Sequence, residues 1–141
     1  VYAEHNADMQ FNPGSVGKLA VAMGVFKALK DIYPRNLAAR EKVLRRSLVT
    51  ADGFIIKPSH AVPFWQPNQK RVNKRKLRIG DTANLWTYLD WMMSASSNSA
   101  ASMVIKQLML LEAFGKSYPG FESHQRSYFN GPRSELTDRV R

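Results

Sequence analysis

From Ser15 onward the apolar residues fall into a helical rhythm. Leu19, Met23, Phe26, Leu29 and Tyr33 recur three or four positions apart, which predicts a helix ended by Pro34. Asn36 can cap a second, more basic helix running to about Leu48. Between Thr50 and Gly80 the rhythm is lost. Pro58, Pro63 and Pro67 interrupt any helix, while Phe54-Ile55-Ile56 and Val62 to Trp65 suit short strands or loop anchors. The rhythm returns after Asp81 or Thr82, either of which can cap a helix that turns Leu85, Leu89, Met92 and Met93 inward. A polar break, Ser94 to Ser97, separates it from a helix running from Asn98 or Ser99 to about Phe114, with Gly115 as its stop. The polar stretch beyond Lys116 contains Pro119, Gly120, Gly131 and Pro132, and reads as loop with at most one short helix near Glu135.

Composition narrows this picture. A chain of 141 residues, 44% hydrophobic and 23% charged, suits one ordered domain. The longest apolar stretch, Leu19 to Leu29, is interrupted by Lys27 and is too short to cross a bilayer. No leader peptide is visible, and Val1 reads as lying inside a domain, so the expectation is a piece of a longer protein. With no cysteine, thiol catalysis, disulfides and thiolate zinc sites are excluded. His5, His60 and His124 are far apart and read as surface or satisfied core histidines, so neither a metal nor another cofactor is expected. The formal net charge of +10 is concentrated in Lys70 to Arg78, where six of nine positions are basic. A solvated loop or edge explains that run most simply, and an anionic cell-wall polymer is the partner it could take. Nucleic acid is not expected, because neither an aromatic platform nor a helix-turn-helix signature accompanies the charge.

Two short stretches can carry chemistry. In Ser15-Val16-Gly17-Lys18 the serine stands at the head of a helix, where backbone N–H groups and the dipole favour developing negative charge. Lys18 lies one turn on along the same face, within reach of the serine oxygen. A hydroxyl needs an adjacent base to act as a nucleophile, and an amine can be that base. Taken alone, the spacing is better read as a capping serine followed by a snorkelling lysine. In Ser96-Ser97-Asn98 a hydroxyl and a carboxamide two residues apart can face one cleft from an interhelical break, although either Ser97 or Asn98 would also serve as a helix cap.

Together these stretches carry a family resemblance. Phe11-Asn12-Pro13-Gly14-Ser15-Val16-Gly17-Lys18-Leu19 is similar to the nucleophile segment of the serine β-lactamase and D,D-peptidase superfamily, class A-like. Tyr2 to Asp8 resembles the segment leading into it. Arg78-Ile79-Gly80-Asp81, the following apolar positions, and Ser94 to Ala101 resemble the helix entering the family's S-x-N motif. The likeness spans about Tyr2 to Leu111, with an unmatched, insertion-like stretch from Thr50 to Lys76. It implies an α+β fold of the β-lactamase/transpeptidase type, of which this chain would hold mostly the all-helical part, as a single domain fragment over 1–141 with the main sheet largely missing and an irregular insertion at 50–80.

The resemblance implies roles residue by residue. Ser15 would form the acyl-enzyme and lend its N–H to an oxyanion hole; Lys18 would take the serine proton or hold the network that does. Ser96 would pass a proton to the leaving nitrogen, and Asn98 would bind the substrate amide and Lys18. Peptide-like amides or β-lactams would be the substrates, in the periplasm or outside the cell. The sequence departs from the family in three places. It has no K-[ST]-G motif, which would lie downstream; it has S-S-N where class A enzymes commonly have S-D-N; and it has no E-x-x-L-N loop, Glu135-Leu136-Thr137 and Glu112 being imperfect stand-ins. A penicillin-recognition fold that only binds or scaffolds at the cell envelope is the alternative reading.

Overall fold

The protein is described here from a computed structural model, which covers residues 12, 14–55, 58–65 and 71–130. The segments at 2–8 and around Glu135, together with Phe11, Pro13, Ile56, Pro67 and Lys70, lie outside the described residues. What is described is an α+β arrangement with five helices and two small antiparallel sheets. None of these helices is long and apolar enough to cross a membrane.

Helix α1 (Gly17–Ile32) follows a 3-10 turn, Gly14–Val16. It packs on α4 (Asn98–Phe114), which also packs on α3 (Leu85–Ser94). Gly24 allows the α1–α4 approach: a Cβ there would stand 2.9 Å from Leu108 Cδ2. The buried face of α1 is Ala22, Val25, Ala28 and Leu29. Of the predicted stripe only Leu29 is buried, and Leu19, Met23 and Phe26 are exposed. Because α1 is apolar on nearly every side, periodicity alone does not choose a face, and the smaller side chains are those that admit a neighbouring helix closely.

Asn36 caps α2 (Leu37–Arg46) as expected, its Oδ1 accepting from Ala39 N at 2.9 Å. The helix ends before Leu48, which instead opens strand β1 (Leu48–Thr50). Strand β4 (Thr82–Asn84) pairs antiparallel with β1, placing Val49 opposite Ala83. The cap of α3 is therefore Asn84, whose Oδ1 accepts from Thr87 N at 2.8 Å, and neither Asp81 nor Thr82 takes that place. Met93 is exposed; the inward face of α3 is Leu85, Tyr88, Leu89, Trp91 and Met92. Trp91 turns inward because strand β2 (Val62–Phe64) lays Phe64 on it, with ring centroids 5.1 Å apart. Burial pushes the Tyr88 hydroxyl well above its ordinary pKa and keeps it a donor, bonded to the Asp81 carbonyl at 2.8 Å. Gly115 ends α4 with φ +51°, as expected. Helix α5 (Glu122–Asn130) occupies ground read as loop; it buries no residue, so no apolar stripe announced it.

Strand β3 (Asn73–Arg75) pairs antiparallel with β2, so part of the basic run is an edge strand. Arg75 holds Asp81 with both terminal nitrogens, at 2.7 and 2.6 Å, and lies 3.8 Å over the Phe64 ring. Its charge is thus committed within the fold. The guanidinium beside Asp81 holds that carboxyl below its ordinary pKa, outweighing the opposing effect of burial. A carboxyl whose folded pKa is depressed contributes its full stability above the unfolded value, about pH 4, and loses it as pH falls through the folded value. Replacing Asp81→Asn should therefore lower stability at neutral pH and flatten the fall in urea-unfolding midpoint below about pH 4. An unchanged acid profile would contradict this.

Candidate active site

Three local features bring the site together. The turn before α1 exposes Ser15 and puts Lys18 one helical turn further on. Val16 precedes α1 without a side-chain cap bond, so Ser15 does not act as the helix cap. Between α3 and α4 the chain breaks at Ala95–Ser97. Ser97, fully buried, caps α4 by accepting from Ala100 N at 3.3 Å, while its N–H donates to the Trp91 carbonyl at 3.2 Å. Capping by Ser97 leaves Ser96 and Asn98, on either side of it, turned toward Lys18. Ser96 sits at φ +53°, a left-handed conformation that side chains other than glycine, asparagine and aspartate seldom adopt.

All four predicted site residues meet. Lys18 Nζ lies 3.1 Å from Ser15 Oγ, 3.1 Å from Ser96 Oγ, 3.0 Å from the Ser96 carbonyl and 2.8 Å from Asn98 Oδ1. Ser96 Oγ donates to Ser15 Oγ at 2.8 Å across 81 positions of sequence. Ser15 and Asn98 are exposed and Lys18 and Ser96 half-buried, so the cluster is open to solvent on the serine side. Among the described residues no carboxylate forms an ion pair with Lys18.

No family model matches this chain, and neither the curated proteins nor the solved structures yield a match.

The proton inventory is informative. An ammonium has three N–H donors, and four acceptors surround this one. The Ser96 carbonyl and Asn98 Oδ1 can only accept, so each takes an N–H. The remaining direction faces two hydroxyls, which can either accept a proton from the nitrogen or give one to it. A neutral Lys18 amine would keep its two N–H bonds on the carbonyl-type oxygens and turn its lone pair to Ser15 or Ser96. The cluster can thus move a proton from Ser15 Oγ to Lys18 Nζ, directly or through Ser96 Oγ.

Other candidates fall elsewhere. Glu112 lies near the far end of α4, about 20 Å along the helix from Asn98, and is exposed. Glu135 is outside the described residues. Ser99, next to Asn98, turns into the core, and among the described residues its Oγ has no hydrogen-bond partner. A buried, unpaired hydroxyl costs stability, so Ser99→Ala should raise the unfolding free energy by about 1 kcal/mol; a loss of that size would show an unseen partner. Ser59 belongs to no motif, and His60 reads from sequence as a surface or satisfied core histidine, yet both reach the site. His60 Nδ1 stands 2.9 Å from the Ser96 carbonyl, and Ser59 Oγ accepts from Asn98 N at 3.4 Å. Nothing in Pro58-Ser59-His60 signals this, because the contact depends on how the 51–80 stretch returns over the α3–α4 break.

Proposed function

We propose that this chain carries the nucleophile and proton-transfer groups of a serine acyl-transfer hydrolase resembling the serine β-lactamases and D,D-peptidases. The observation that supports it is the convergence of Ser15 Oγ, Ser96 Oγ and Asn98 Oδ1 on one amine, Lys18 Nζ, within 3.1 Å. In this reading the Ser15 oxygen attacks the carbonyl carbon of a peptide-like amide or β-lactam. Its proton leaves through Lys18. The amide C–N bond then breaks, and Ser96 delivers its proton to the departing nitrogen while taking the one held by Lys18, 3.1 Å away. Water later cleaves the ester to free Ser15. Asn98 holds the substrate amide and fixes Lys18 in place.

The finer fold assignment, a β-lactamase/transpeptidase-like domain, belongs to the same proposal, as does a periplasmic or extracellular setting. An anionic wall polymer at the basic run is a further part of it. Among the described residues of Lys70 to Arg78, the charges it would use are Arg71, Lys74, Lys76 and Arg78, since Arg75 is spent on Asp81.

The test is labelling with a fluorescent penicillin. A covalent, heat-stable label should form on the protein and be lost in Ser15→Ala. A label that persists in that variant, or none on the unaltered protein, would overturn the proposal.

A further inference from the structure

We infer that His60 is a positioning residue for the turn that bears Ser96 and Asn98, acting through the Ser96 carbonyl. Its kinetic consequence rests on the acyl-transfer reading above; its geometry does not. A carbonyl oxygen can only accept, so the ring nitrogen 2.9 Å from it must carry the proton. The opposite tautomer would set two lone pairs against each other. The structure thus assigns the proton to Nδ1.

The contact joins two backbone positions that need support. Ser96 stands at φ +53° and His60 at φ +51°, both in the sparsely populated left-handed region. Such conformations persist where the surroundings hold them, and they gather at functional sites. The Ser96 carbonyl has two donors, Lys18 Nζ at 3.0 Å and His60 Nδ1 at 2.9 Å, one for each lone pair. Lys18 is itself a reacting group, which gains and loses a proton while bonded to that carbonyl. His60 is not, and keeps the carbonyl fixed while that happens. Ser59 adds a weaker tie at Asn98 N, 3.4 Å away. The supporting loop is firmly seated: Val62, two residues on, is fully buried, and Phe64 packs against Trp91. Rotation of the Ser96 peptide would carry its hydroxyl away from Ser15, so a donor at this carbonyl sets the distance over which the proton passes.

Two measurements test this. In 15N-labelled protein at alkaline pH, the His60 imidazole should be the Nδ1–H tautomer; the Nε2–H form would overturn the inference whatever the enzyme does. In penicillin acylation of Ser15, His60→Phe and His60→Gly should slow the covalent step roughly 10–100-fold while leaving the preceding non-covalent binding nearly unchanged. His60→Asn should recover most of the rate, since asparagine accepts a left-handed backbone and can offer an N–H to the same oxygen. Glycine relieves the backbone without supplying a donor, so full activity in His60→Gly would overturn the inference. If the unaltered protein takes no penicillin, the acyl-transfer reading fails, and the tautomer alone decides the contact.

Discussion

Under the acyl-transfer function proposed above, replacing Lys18→Met should slow acylation of Ser15 by roughly 10²–10⁴-fold while the protein stays folded. The methionine keeps the length and the apolar stem but removes the amine that touches Ser15, Ser96 and Asn98 together. Its loss leaves Ser15 Oγ bonded to Ser96 Oγ, with no other amine or carboxylate bonded to either hydroxyl among the described residues. The half-buried surroundings keep a neutral partner set, so the thermal midpoint should move by only a few degrees. Lys18→Arg should not restore the rate, because a guanidinium keeps its protons and its planar fork does not fit acceptors spread around a point. Stopped-flow labelling gives the rate and circular dichroism the midpoint. Equal rates in Lys18→Met and the unaltered protein would remove the lysine from the chemistry.

The opposite pattern is expected at Trp91. Its side chain is 4% exposed and sits between Phe64 and Tyr88, with ring centroids at 5.1 and 5.2 Å. Trp91→Ala would open a cavity where β2 meets α3 and should cost about 3–5 kcal/mol. Against the usual stability of a domain, about 5–15 kcal/mol, that is a large part of the whole. The melting temperature should fall by about 10–15 °C. Trp91→Phe, which keeps a ring for both neighbours, should lose less than half as much. Since the Trp91 carbonyl also receives Ser97 N at 3.2 Å, the break holding Ser96 should loosen before the rest unfolds. A melting point unchanged in Trp91→Ala would contradict the packing described.

The reach of the sequence follows the range of the interactions. Ser15 and Lys18 are one helical turn apart, so their meeting is local and readable from spacing alone. The caps at Asn36 and the stop at Gly115 are local too, and stand where the sequence puts them. That Ser96 and Asn98 join Lys18 depends on α1 packing against α4, some 80 positions on. Periodicity does not contain that; the family resemblance suggested it. Two errors at α3 share one cause, a partner supplied from far along the chain. Thr82 to Asn84 pair with β1 from far back in the chain, so α3 starts after them and Asn84, not Asp81, caps it. Trp91 rather than Met93 turns inward because Phe64 arrives from the 51–80 loop. That loop also brings His60 to Ser96, which no spacing rule reveals.

The absence of cysteine permits a direct test of the convergence itself. In a Ser15→Cys, Ser96→Cys double variant the two sulfurs replace hydroxyl oxygens 2.8 Å apart, close enough for a bond of about 2.05 Å after small side-chain rotations. Mild oxidation should close a disulfide, seen as the loss of two hydrogens in the intact mass and as a cross-link between the two peptides. Two thiols that stay free under conditions that oxidise a neighbouring control pair would mean that the head of α1 and the α3–α4 break do not meet.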